Sequence, residues 1–69
     1  MPRASENILA NIIRRGKYGT TSDAVSLDTG YELPSVRRTL ARLFRAGYVT
    51  RERIRGSFYY RPVAFLPFS

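Results

Sequence analysis

Apolar residues return at three- and four-residue intervals in two stretches of this chain, and after the second the period changes. Ile8, Leu9, Ile12 and Ile13 form the first stripe. With Ser5 as a good N-cap, Arg14 and Arg15 in the last turn and Gly16 at the C′ position, they predict a helix over about residues 5 to 15. The stripe reads as core, and the two arginines as complements to the helix dipole with no further role. Val36, Leu40, Leu43, Phe44 and Gly47 form the second stripe. They fall within roughly a quarter turn of each other at about 100° per residue, with Arg38, Arg42 and Arg45 on the opposite side. Pro34 is tolerated in a first turn and Gly47 ends the run, which predicts a helix from about 33 to 46.

Between the stripes, Thr20 or Thr21 can cap a shorter helix with Ala24, Val25 and Leu27 facing inward, and "DTG" ends it. Gly30 permits a left-handed turn, so a short helix, a glycine turn and a longer helix follow in helix-turn-helix order. Beyond Gly47, "YVTRERI" and "SFYYRPV" are rich in β-branched and aromatic residues. The "RGS" between them (55 to 57) is suited to a hairpin turn with Gly56 at positive φ, giving two antiparallel strands with a basic tip. Tyr18 to Thr20 is a candidate third strand. The tail "PVAFLPFS" is apolar but interrupted by Pro62 and Pro67, so no helix of useful length forms there. It has two readings: extra core folded back over the first helix, or an adhesive patch for a partner chain, which is a route to a homodimer.

Composition narrows the functions. At 69 residues one domain is expected, and a core of this size seldom supplies more than ~3–5 kcal/mol, which favours a binding module over an enzyme with a buried cavity. The absence of Cys and His removes thiol and imidazole catalysis, disulfides and the usual zinc ligand sets, and no cofactor is expected. Asp28 and Glu32 read as cap and solvent groups rather than as an acid–base pair. No run approaches the ~18 apolar residues of a membrane span, and the charged N-terminal stretch lacks the apolar centre of a signal peptide. A soluble, cytoplasmic location is expected, nucleoid-associated if the source is bacterial.

Net charge is +7, and the sequence pI is about 10.9. All but Lys17 of the basic residues are Arg, whose planar donor fork suits phosphates and guanine edges. Residues 1 to 33 balance to zero; residues 34 to 61 hold eight Arg against Glu52 alone. The whole excess therefore lies in one contiguous segment, a segregation that solubility alone does not require.

The stretch "TSDAVSLDTGYELPSVRRTLARLFRAGYVTRERIRGSFYYRP" resembles the winged helix-turn-helix of small bacterial transcription regulators, such as the arsenic-repressor and MarR types. The closest echo is "GYELPSVRRTLARLFRAGYV", with its turn Gly, its hydroxylic residue before Val, its Leu pair and its Ala-Gly-aromatic-Val exit. The trailing Gly-x-x-Tyr-Tyr-Arg matches the family's wing, and the resemblance covers about residues 7 to 61. It implies an α+β fold: three helices followed by a two- or three-stranded antiparallel wing. The single domain would comprise a helix-turn-helix over about 21 to 46, a wing over about 48 to 61 and the tail from 62 to 69. Glu32 departs from the family, which usually has Ser as the cap of the recognition helix. The metal ligands and long dimerisation helices of those repressors are also missing. In size the chain is nearer the small regulators of pilus operons, phages and plasmids.

The implied function is that of a regulator bound to double-stranded DNA. An α-helix fits the major groove and reads bases through its N-terminal half, which assigns Ser35, Arg37, Arg38 and Arg42 to the groove. Thr21 and Ser22, at the start of the preceding helix, are placed for phosphate contact. Arg53, Arg55 and Ser57 at the wing tip would reach an adjacent minor groove or its phosphates. Arg45 is expected to touch backbone or water only. Other readings stay open. Arg38 and Arg42 also suit a solvated face, and Arg51 and Arg61 are expected to pair with Glu52 across the hairpin. One of Tyr59 and Tyr60 is expected in the core and the other outside it. The competing function is a protein-interaction module, such as a phage-encoded inhibitor or a subunit, using the basic face or the tail.

Overall fold

Ile8 and Ile12, one helical turn apart, are both fully buried. They anchor a helix, α1, that runs Arg3–Arg15 in the computed structural model, which describes residues 3 to 63. The helix begins before the cap expected at Ser5, which is itself buried inside the first turns. Ser5, Ile8, Asn11 and Ile12 are the buried face. Ile13, expected in the core, is exposed: at about 100° per residue it lies some 140° from Ile8 and misses that face.

After a 3-10 turn over Gly16–Tyr18, the backbone of Thr20 pairs with that of Tyr60, each N–H donating to the other's carbonyl at 3.0 and 2.8 Å. The third strand expected over Tyr18 to Thr20 is thus a single bridge, because Tyr18 is already coiled into the turn. The bridge still ties the first loop to the far end of the hairpin.

Helix α2, Ser22–Thr29, is capped by Thr21, whose Oγ1 accepts from the Ala24 N–H at 3.2 Å. Val25 is fully buried. Leu27, expected to face inward, is 86% exposed, because two residues carry it about 200° around the helix from Val25. The turn that follows is bonded throughout. Gly30, at φ 82°, donates to Ser26 O; the Ser26 hydroxyl donates to Tyr31 O at 2.6 Å; and Tyr31 N donates to Thr29 Oγ1 at 3.3 Å. Only glycine takes that φ without steric cost, and the hydroxyls on either side complete the turn's hydrogen bonding.

Helix α3 runs Leu33–Ala46, with Glu32 at the N-cap making no side-chain capping bond and Gly47 closing the helix at φ 88°. Val36, Thr39, Leu40 and Leu43 form its buried face. Phe44 stands at the margin, 37% exposed, since it lies about 80° from Val36 on the side away from Thr39. Fully burying a side chain such as Leu40 or Ile12 stabilises by about 1.5–3 kcal/mol, so a few residues shared between α1, α2 and α3 hold the helices together.

Strands β1, Val49–Ile54, and β2, Ser57–Pro62, pair antiparallel, with Arg51 opposite Tyr60 and Arg53 opposite Phe58. The two-residue tip places both Arg55 and Gly56 at positive φ, 52° and 84°, where the sequence pointed only to Gly56. A two-residue connection whose twist matches the strands requires both. Alternation puts Val49, Arg51 and Arg53 on one face with Phe58, Tyr60 and Pro62. Near the helices that face is core, with Val49, Tyr60 and Pro62 buried. Further out it continues as arginine and phenylalanine. Tyr59, on the other face, is half-buried.

Three helices followed by a two-stranded antiparallel sheet give the α+β, winged-helix-like layout. Among the described residues no helix is long and apolar enough to cross a membrane. The apolar tail is expected from residue 62, but Pro62 closes β2 and is buried, and Val63 N donates to the Tyr48 carbonyl at 3.3 Å, so these two residues extend the hairpin. Residues 64 to 69, on which both readings of the tail otherwise rest, lie outside the described residues.

Candidate nucleic-acid interface

Where the hairpin overhangs the helices it leaves a cleft of about 420 Å³ between its inner face, the start of α2 and the exposed flank of α3. Thr21 and Ser22 come to the cleft from α2, Arg37 from α3 and Ser57 from the hairpin. Residues far apart in the chain, singled out separately in the sequence, thus line one space. Arg51, Phe58 and Asp23 line it too.

A shallower hollow of about 280 Å³ lies on the neighbouring flank of α3, between Arg38, Arg42 and Arg45. Ala41 lines both spaces. The arginines of α3 therefore stand to either side of one small residue, on a continuous exposed face. Arg38 Nη2 donates to Ser35 Oγ at 3.3 Å, linking the two groove candidates of the first turns. Arg53 and Arg55 line neither space. Arg53 lies with its guanidinium 5.7 Å from the Phe58 ring centre, and Arg55 occupies the tip.

Arg51 corrects a sequence expectation. It does not pair with Glu52: adjacent strand residues point to opposite faces, and Glu52 meets Arg61 on its own side at 2.9 Å. Arg61 Nε also donates to the Lys17 carbonyl at 2.8 Å, so Arg61 is the pairing residue of the hairpin, as expected. Arg51 instead packs against two aromatic rings, its guanidinium carbon 4.2 Å from the Phe44 ring centre and 4.4 Å from that of Phe58. The sequence signal for this contact is the alternation that puts Arg51 and Arg53 opposite Tyr60 and Phe58, on the face away from Glu52.

The acidic residues are unevenly committed. Arg15, to which the sequence assigned only a dipole role, bonds Asp28 through Nη2 at 2.7 Å and Nε at 3.1 Å. The buried Asn11 amide donates to the same carboxylate oxygen at 3.1 Å. The hydrogen bonds from Arg15, and then from Asn11, hold the Asp28 carboxyl below the usual carboxylate range. Glu52 is taken up by Arg61. In the cleft Asp23 stands against Arg37 and Arg51, while the hollow beside it is lined by three arginines and an alanine. A surface of this kind offers guanidinium forks and hydroxyl donors to an extended anion.

No model of a known protein family matches this chain, and no curated protein matches it either.

Proposed function

We propose that this chain binds double-stranded DNA as a transcription regulator, with α3 in the major groove and the hairpin against the adjacent minor groove or its phosphates. The observation that carries the reading is the sharing of Ala41 by two arginine-lined spaces, one of them closed on its far side by the hairpin. Cations from α3 and from the hairpin thereby serve one contiguous surface, as a duplex requires. A helix lying in the groove offers Ser35, Arg37, Arg38 and Arg42 to base edges, and the hydroxyls of Thr21, Ser22 and Ser57 to the phosphates beside it. Arg53 and Arg55 extend the contact along the hairpin. Phosphate neutralisation supplies affinity, and the groove-facing arginines supply discrimination.

Selection of bound sequences from a random duplex pool, followed by titration of the winners at several salt concentrations, tests the proposal. A defined motif is expected, with affinity falling steeply as salt rises. A palindromic motif would indicate a two-fold symmetric complex. Equal affinity for every duplex would remove the regulatory role. A protein that ignores duplexes and captures an acidic protein surface instead would overturn the reading altogether.

A further inference from the structure

Arg51 is the guanidinium in the cleft held against two aromatic rings. Phe44 comes from α3 and Phe58 from β2, and their ring centres lie 4.2 and 4.4 Å from the guanidinium carbon. A guanidinium held against two rings keeps five N–H donors, and those not directed at a ring remain able to bond an anion. Among the described residues Arg51 donates no hydrogen bond and joins no ion pair, whereas Arg15 and Arg61 are both spent on carboxylates. A long, flexible cation is thus oriented while its hydrogen-bonding edge remains unused. Surface salt bridges and solvated arginines do not require such a clamp.

We propose that the Phe44–Phe58 clamp makes Arg51 a phosphate-binding residue, seating one DNA-backbone phosphate in the cleft between α3 and the hairpin. The inference rests on the DNA-binding reading and adds one contact to it. The chemistry of the cleft fits a tetrahedral anion: Arg51 and Arg37 bring charge and forked donors, and Ser22 and Ser57 bring hydroxyls. The Thr21 oxygen already accepts from Ala24, which leaves its own O–H to donate. Asp23 is the opposing group, and it faces a wall with two arginines. The cleft adjoins the outer flank of α3 across Ala41, so a groove seated on that flank brings its bordering backbone alongside the cleft. Because the rings belong to α3 and β2, a phosphate held there also sets the hairpin's position relative to the helix.

The test uses the full chain and a duplex selected from the random pool, together with copies of that duplex carrying one neutral methylphosphonate at each backbone position in turn. The wild type is expected to lose affinity at a small set of positions. Arg51→Gln is expected to bind the unmodified duplex about tenfold more weakly and to become indifferent to one of those positions. Its slope of log Kd against log salt should fall by about 0.9, the share of one phosphate. Phe58→Leu, which keeps the charge but opens the clamp, should weaken binding with the slope retained. Thermal unfolding establishes that each variant is folded, and Arg51→Lys undergoes the same scan in case the glutamine variant is not. In that lysine variant the affinity should drop while the sensitive position remains. An Arg51→Gln protein that responds to every methylphosphonate as the wild type does, with an unaltered slope, would overturn the role of Arg51 and leave DNA binding standing. A wild type that binds no duplex in the pool would overturn the functional reading, and this inference with it.

Discussion

The Arg15 guanidinium meets the Asp28 carboxylate at 2.7 Å, joining the last turn of α1 to the last turn of α2. The buried Asn11 amide reaches the same oxygen, so one carboxylate holds two groups of α1. Its folded pKa is depressed, first by the Arg15 bond and then by the Asn11 bond. The stabilisation is therefore present above the ordinary carboxylate range and is lost as pH falls through the lower folded value. Asp28→Ala is expected to lower Tm near neutral pH by more than Arg15→Ala, since it also strands the Asn11 donor. The difference in Tm between wild type and Asp28→Ala should shrink as pH drops below about 4. Thermal unfolding followed by circular dichroism over a pH series reads both effects, and a difference constant down to pH 2 would show that the carboxylate charge is irrelevant.

Arg37 and Arg38 face different spaces, the first the cleft and the second the outer hollow. If both read base edges, Arg37→Ala and Arg38→Ala should each cost about 1–3 kcal/mol in binding the selected duplex and relax preference at different positions of the motif. Competitive titration against single-base variants of the duplex measures this. Identical preferences before and after substitution would assign the two side chains to phosphates.

Arg55 sits at φ 52° in a two-residue turn that prefers Asn or Asp before Gly. Arg55→Asn should accordingly stabilise the fold, by about 0.5–1 kcal/mol in urea unfolding. The same substitution should weaken binding to all duplexes alike and reduce the salt slope by about 0.9. Stability and affinity moving in opposite directions would mark the strained arginine as a functional choice, whereas unchanged affinity would leave the strain without a purpose.

Asp23 is the acidic residue lining the cleft and lies in the first turn of α2. Removing its charge should raise duplex affinity, because a phosphate seated there would no longer meet a carboxylate. Asp23→Asn should also lose the favourable interaction with the start of the helix, worth about 0.3–1 kcal/mol. Paired binding and unfolding measurements separate the two terms. An affinity that falls instead of rising would argue that Asp23 orients Arg37 or Arg51.

Much of the architecture was legible because it rests on local chemistry. The span of α3 followed from the Val36–Leu40–Leu43 stripe, the early Pro34 and the terminal Gly47, all of which act within one helix. A threonine cap at 20 or 21, the turn at Gly30 and the hairpin on either side of Gly56 were legible for the same reason, and the pairing of Thr20 with Tyr60 leaves the cap to Thr21. Legibility stopped where a residue's fate depended on a distant neighbour. Leu27 and Ile13 carry the same chemistry as buried Val25 and Ile12 but lie off their helical phase, and which phase turns inward is set by the facing helices.

The candidate site divides in the same way. The chain alone determined the concentration of arginine beyond residue 33 and the period that keeps Arg38, Arg42 and Arg45 off the apolar stripe, because charge and helical phase are properties of consecutive residues. Tertiary structure decided how those cations are used. It drew Thr21, Arg37 and Ser57 to one cleft, spent Arg15 and Arg61 on carboxylates, and closed the rings of two different elements on Arg51. Such pairings are settled by which faces remain after the apolar residues have packed, and that packing is a property of the whole chain.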